Sequence, residues 1–172
     1  MTPEQAAFLA SVFLPSIKNE YATTRRVIKA IPVEKQGFRP HPDSRSAIEL
    51  AWHLTSSDVW FLDGFLDSKF EMDDDSMPGD LTDTLDVLAL YEELFEAKFP
   101  EVAKLSPEFW ATPLEFFEIF HHPAVLYLQF MLNHSIHHRG QLTAYLRQLG
   151  AKVPNIYGGS FDEPMLPPSH EK

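Results

Sequence analysis

Cysteine is absent from the chain, which removes disulfide frameworks, thiolate nucleophiles and cysteine-based zinc sites together. Any soft-metal chemistry therefore falls to the eight histidines. Basic residues are scarce as well: 14 Lys and Arg stand against 25 Asp and Glu, a formal net charge of −11 that repels phosphate backbones and anionic lipid. No Lys/Arg stripe offsets it locally, the densest basic pair being Arg25-Arg26, so nucleic-acid binding is disfavoured. Long hydrophobic runs are also missing, none approaching the ~18 uninterrupted apolar residues of a membrane span. The opening Met1-Thr2-Pro3-Glu4-Gln5 has neither the basic start nor the apolar stretch of a secretory signal. The expectation is a soluble, cytoplasmic protein with no membrane partner.

What is present suffices for a packed core. The chain has 172 residues, 44% of them hydrophobic and 13% aromatic, with Phe the main aromatic. A domain of that size needs neither disulfides nor a structural metal. No internal repeat, low-complexity run or Gly/Ser linker divides it, so residues 1–172 read as one domain, with a mobile tail expected over 163–172.

Helical periodicity organises most of the chain. Thr2 is placed as an N-cap with Pro3 in the first helical position, and Phe8, Val12, Ile17, Tyr21, Ile28 and Ile31 follow at helical spacing. Pro15 is expected to kink or restart this first helix, which runs to about Ala30. Ser46-Ala47-Ile48-Glu49 has capping-box form and starts a second helix with Leu50, Leu54, Phe61 and Phe65 on one stripe. Residues Asp67 to Asp80, acidic and broken by Pro78-Gly79, read as an exposed, solvated loop; Met77 and a misplaced glycine exclude a calcium loop.

A third helix starts near Thr82 or Thr84 and runs to Val102, with a bend at Pro100 and an exit at Ser106-Pro107. Leu114 to Phe120 fits either a short strand or an apolar loop over the other elements. A fourth helix spans Pro123 to Gly150, about 27 residues or ~40 Å. Four long amphipathic segments of this kind predict a four-helix bundle, a scaffold that builds metal sites from side chains on facing helices.

The fourth helix carries His134 and His138, a turn apart on one face and near the stripe of Tyr127, Met131, Leu142 and Tyr145, so they are expected to face the interior. That is metal-ligand spacing, although two polar residues on a partly wet face would look the same. An ion with a position left open for water or substrate usually takes three protein ligands. His53, beside the apolar stripe of the second helix, is the candidate for the third; a lone histidine there also fits a hydrogen-bonded core residue.

Three segments together give the chain a family likeness: Ser44-Arg45-Ser46-Ala47-Ile48-Glu49-Leu50-Ala51-Trp52-His53-Leu54, Asn133-His134-Ser135-Ile136-His137-His138-Arg139-Gly140-Gln141-Leu142, and Gly150-Ala151-Lys152-Val153-Pro154-Asn155-Ile156-Tyr157-Gly158. Through them the sequence resembles the DinB/YfiT-like superfamily of metal-dependent proteins over nearly its whole length. The resemblance implies an all-α, up-down-down-up four-helix bundle, often dimeric. It also implies a divalent metal held by one histidine of the second helix and an HxxxH pair of the fourth. Those positions are His53, His134 and His138, with His137 a neighbour pointing ~100° away. Some members of the superfamily resemble thiol-dependent transferases or isomerases. The family label gives no ground for binding or copying DNA.

Three neutral ligands leave a cation charged and open, which is compatible with hydrolysis and with thiol transfer on a small-molecule substrate such as a low-molecular-weight thiol. Zinc or nickel heads the ions this ligand set suits, with iron and copper also compatible. No glutamate follows His134 as in an HExxH protease, so no catalytic base is assigned. Gln141, one turn past His138, is a candidate to support a ligand or bind substrate; Tyr91, Tyr127 and Tyr145 are candidates to reach the pocket, and Trp60 to form core or pocket wall. Ordinary packing or capping explains Gln141 and the three tyrosines at least as well. Rival readings are a non-catalytic metal-binding or small-molecule sensing module, and a purely structural bundle without metal. The segment Gly150 to Asp162 is expected either to cover the site or to tie down the fourth helix.

Overall fold

The computed structural model describes residues 1–72 and 74–165; Asp73 and residues 166–172, which make up most of the expected tail, lie outside the described residues. Four long helices dominate: α1 (Pro3–Lys29), α2 (Ala47–Asp67), α3 (Thr84–Val102) and, last in the chain, α5 (Ala124–Leu149). Between α3 and α5 lie a short helix, α4 (Pro107–Ala111), and a hairpin of two antiparallel strands, β1 (Pro113–Phe116) and β2 (Phe120–Pro123). The principal helix contacts are α2 with α3, α1 with α5, α2 with α5 and α1 with α3. Each long helix therefore has two long neighbours, and α2 and α5, which carry the candidate histidines, face one another.

Local chemistry sets the helix ends. Capping boxes close the starts of α1 (Thr2 with Gln5), α2 (Ser46 with Glu49) and α3 (Asp83 with Asp86), each satisfying backbone N–H groups that the first turn leaves unpaired. Gly150 ends α5 in the left-handed conformation at φ 71° that a glycine adopts without steric cost. Pro15 does not restart α1, which runs unbroken through it, and Pro100 lies inside α3, as expected. Both prolines, and Ser11 and Glu96 whose carbonyls they leave without an intrahelical donor, are exposed residues.

The ambiguous apolar segment is β1 and the turn into β2. In register, Leu114 pairs with His122 and Phe116 with Phe120, and Phe117 and Glu118 turn the chain with φ of 55° and 58°. Such angles are uncommon for residues with bulky side chains. Pro123 closes β2 and stands at the N-cap position rather than inside α5. The five residues of α4 are too few to show a period in the sequence, and Ser106, expected as an exit from α3, caps its start.

The core draws on every long helix, with Leu50, Leu54, Phe61 and Phe65 of α2 buried as their stripe predicts. Each such side chain contributes about 1.5–3 kcal/mol on burial. Among the described residues no helix is long and apolar enough to cross a membrane. Gly64 lets the ring of Phe70 lie against α2, and an isolated bridge then links Phe70 to Phe116. By this route the acidic loop after α2 and the hairpin close over the same end of the molecule.

Candidate metal centre

His53 from α2 and His134 and His138 from α5 converge, each offering a ring nitrogen within 4.8 Å of the others. Their ring centres lie 4.9, 4.6 and 4.4 Å apart for the pairs 53–134, 53–138 and 134–138. All three are half-buried. On α5 the histidines therefore flank the buried face rather than occupy its centre, which belongs to Ser135 and Arg139.

Hydrogen bonds fix the protons on two of the rings. The Nδ1 of His53 lies 2.7 Å from Oδ2 of Asp75. Burial raises the pKa of Asp75, but hydrogen bonds from Ser56 and His53 and the charge of Arg45 outweigh it and hold the carboxyl below its ordinary value. An ionised carboxylate only accepts, so His53 must donate from Nδ1, which leaves Nε2 as a bare acceptor. Gln141 does the same for His138. Its Oε1 lies 2.8 Å from Nδ1 of His138, while its Nε2 donates to Nε2 of His137 at 3.2 Å.

The two bare nitrogens, Nε2 of His53 and Nε2 of His138, then face each other at 3.3 Å. Two lone pairs at that distance repel unless a cation lies between them. A proton is disfavoured: burial, followed by the neighbouring His53 and His137, lowers the pKa of His138 despite the opposing bond to Gln141. The spacing suits a metal, because two imidazole nitrogens at ~2.0–2.1 Å from a tetrahedral ion stand about 3.3–3.4 Å apart.

His134 fits the same group. Burial first, then His138, His53 and His137, push its pKa down to about 3. It is therefore neutral, as a ligand must be, and its buried Nδ1 has no hydrogen-bond partner among the described residues. An orphaned buried polar atom costs about 1–3 kcal/mol, a deficit that a partner at that nitrogen would remove.

Other predicted residues distribute as follows. Gln141 supports His138, and His137 reaches only Gln141 and the edge of the His138 ring. Trp60 forms part of the wall of a cleft of about 400 Å³ that opens beside His53 and His134. The three tyrosines turn elsewhere: Tyr91 donates to Asp58, Tyr127 to the Leu114 carbonyl and Tyr145 to the Arg45 carbonyl. Gly150 to Asp162 does not line the cleft. It ties α5 to α1 through Tyr157, which accepts from Arg139 at 2.6 Å and donates to Glu20 at 3.1 Å.

Two further groups of residues belong to the site without a motif that marks them in the sequence. Asp75, in the loop read as solvated, accepts from His53, from Ser56 at 2.5 Å and from Arg45 at 3.0 Å. Asp58, Ser135 and Arg139 form a buried polar layer behind the histidines. Ser135 and Tyr91 donate to Asp58, and Arg139 pairs with Glu20. Burial raises the pKa of Asp58 to about 6 against those hydrogen bonds and the charge of Arg139. Both Asp58 and Arg139 stand within apolar helical stripes, which was the available signal.

Comparison with known proteins adds family context. A sequence model of the DinB family matches residues 4–170. The uncharacterised protein YrdA of Bacillus subtilis strain 168 is 50% identical over 36 residues, a match that covers 21% of this chain and 22% of YrdA. The chain thus spans about a fifth of the length of that curated relative. Among solved structures, a DinB-like protein from Bacillus cereus ATCC 10987 is similar with a TM-score of 0.71 and 26% identity, over 84% of this chain and 95% of that one. A DinB-like protein, YjoA, from Bacillus subtilis matches with a TM-score of 0.67 over 90% of this chain and 99% of its own. At 19% identity, that likeness is one of fold alone.

Proposed function

The chain belongs to the DinB family, and from that premise we propose that it binds one divalent metal ion through His53, His134 and His138 and acts as a metal-dependent enzyme of the thiol-transferase or hydrolase type. The observation that carries the reading is the pair of bare Nε2 atoms of His53 and His138, 3.3 Å apart, with His134 beside them. Zinc or nickel suits three imidazoles best. In this reading the protein is a single domain with its four long helices running up-down-down-up, and it pairs as a cytoplasmic homodimer. Exposed Phe8 and Val12 on one side of α1 offer apolar surface for pairing, and light scattering tests it.

When bound, such an ion keeps its positive charge and an open position, so it lowers the pKa of a coordinated water or thiol and polarises a carbonyl. The chain supplies the rest. Asp75 holds His53 in the tautomer that directs Nε2 inward, and Gln141 does so for His138. Burial keeps His134 neutral. The cleft admits a small molecule beside His53 and His134, and its aromatic wall limits water there.

The test uses untagged protein loaded with zinc or nickel, assayed for transfer of a low-molecular-weight thiol to an electrophile and for ester hydrolysis. The reading expects one of these activities, abolished by chelation and by His138→Ala. Tight metal binding with neither activity would favour a non-catalytic binding or sensing module.

A further inference from the structure

We propose that the cleft beside the three histidines is a subsite for a small ligand with a flat, aromatic body and an anionic donor group. This rests on the metal reading above and names the substrate class of the same site.

Size comes first. At about 400 Å³ the cleft lies near the lower end of small-molecule sites, which run ~300–1,000 Å³, so it holds one ring-sized body with a short substituent. Shape follows from its aromatic wall. Trp60 and Phe61 come from α2, and Phe116 and Phe117 from the hairpin. The Trp60 and Phe117 rings stack with centres 5.3 Å apart and 22° between planes, and Phe61 and Phe116 lie 6.1 Å apart at 30°. The only polar atom of the indole, Nε1, already donates to the Glu71 carbonyl at 2.8 Å, so Trp60 turns an apolar ring surface to an occupant. Flat apolar bodies pack against such walls in offset or edge-on geometry.

Charge selects the donor group. The Phe61 ring centre is 6.4 Å from that of His134, so the apolar wall begins beside the ligand nitrogens. An occupant seated on the wall thus carries its substituent toward the ion. A divalent ion held by three neutral imidazoles keeps its positive charge, so an anionic donor group matches it.

The experiment compares two probes that share a metal-binding hydroxamate head, benzohydroxamate and acetohydroxamate, by calorimetric titration into the zinc-loaded protein. Benzohydroxamate is expected to bind about tenfold more tightly because only it buries a ring. In both Phe117→Ala and Phe61→Leu the advantage should shrink to about threefold or less, with acetohydroxamate affinity unchanged as the control for folding and metal loading. Equal affinities in the wild-type protein would overturn the subsite, as would failure of both probes to bind or an advantage that survives in both variants. Failure of zinc itself to bind would instead overturn the metal reading, and the subsite with it.

Discussion

Asp75 decides which nitrogen of His53 faces the other two rings, so its loss should be felt at the metal and not in the fold. Carboxylates that orient a ligating histidine are worth about 10–100-fold in metal affinity. Asp75→Ala is therefore expected to bind zinc about 10–100-fold more weakly in a chelator-dye competition, whereas His137→Ala, which removes a partner of Gln141 and a ring contact to His138, should stay within about threefold of the wild type. Equal affinities in the Asp75→Ala and wild-type proteins would remove Asp75 from the site. Acid acts on two buried groups with opposite sign. The folded pKa of His134, about 3, lies below the ~6.5 of an unfolded histidine. Its contribution to stability is present above ~6.5 and is lost as pH falls toward 3. Asp58, raised to about 6, binds its proton more readily folded than unfolded. Its contribution is present below ~3.9 and is lost as pH rises through about 6. Between pH 7 and 5, metal-free Asp58→Asn protein should thus lose stability more steeply than the wild type, because it lacks the compensating gain. Urea midpoints across that range check this, and parallel curves would contradict it.

Among the elements, the contact between Gly64 and Phe70 joins α2 to the loop that carries Asp75. A Cβ on residue 64 would lie 2.2 Å from the buried Phe70 ring, whereas one on Gly140, in exposed helix, meets nothing within 4 Å. Gly64→Ala should cost about 1–3 kcal/mol by overpacking, and Gly140→Ala should gain about 0.4–1 kcal/mol by restricting the unfolded chain. Thermal melts of the two variants shifting in the same direction would contradict the packing at Gly64. Long helices with strong caps were legible because capping and periodicity are local: Ser46 with Glu49, and Gly150, mark their ends correctly. His134 and His138 were legible for the same reason, since one helix turn fixes their separation. The hairpin, α4 and Asp75 were not. Leu114 to Phe120 is too short, and Glu115 and Glu118 fall too irregularly among its apolar residues, to separate strand from loop. Asp75 sits in an irregular acidic segment whose path depends on Phe70 meeting Gly64, a contact no local pattern encodes.

At the scale of the whole molecule, the core and the site are separable. The buried apolar cluster draws on all four long helices, and the three histidines are only half-buried. Metal removal should therefore leave a helical protein with a lower melting temperature, the difference reporting binding to the folded state alone. Circular dichroism of chelator-treated protein checks this, and outright unfolding would make the ion structural. The decisive quantity is the metal content per chain of protein purified without a histidine tag, measured by elemental analysis beside the His53→Ala, His134→Ala and His138→Ala variants. One divalent ion per wild-type chain, lost in all three, is the predicted result. A folded wild-type protein that takes up no stoichiometric metal, or full retention in His138→Ala, would contradict three-histidine ligation.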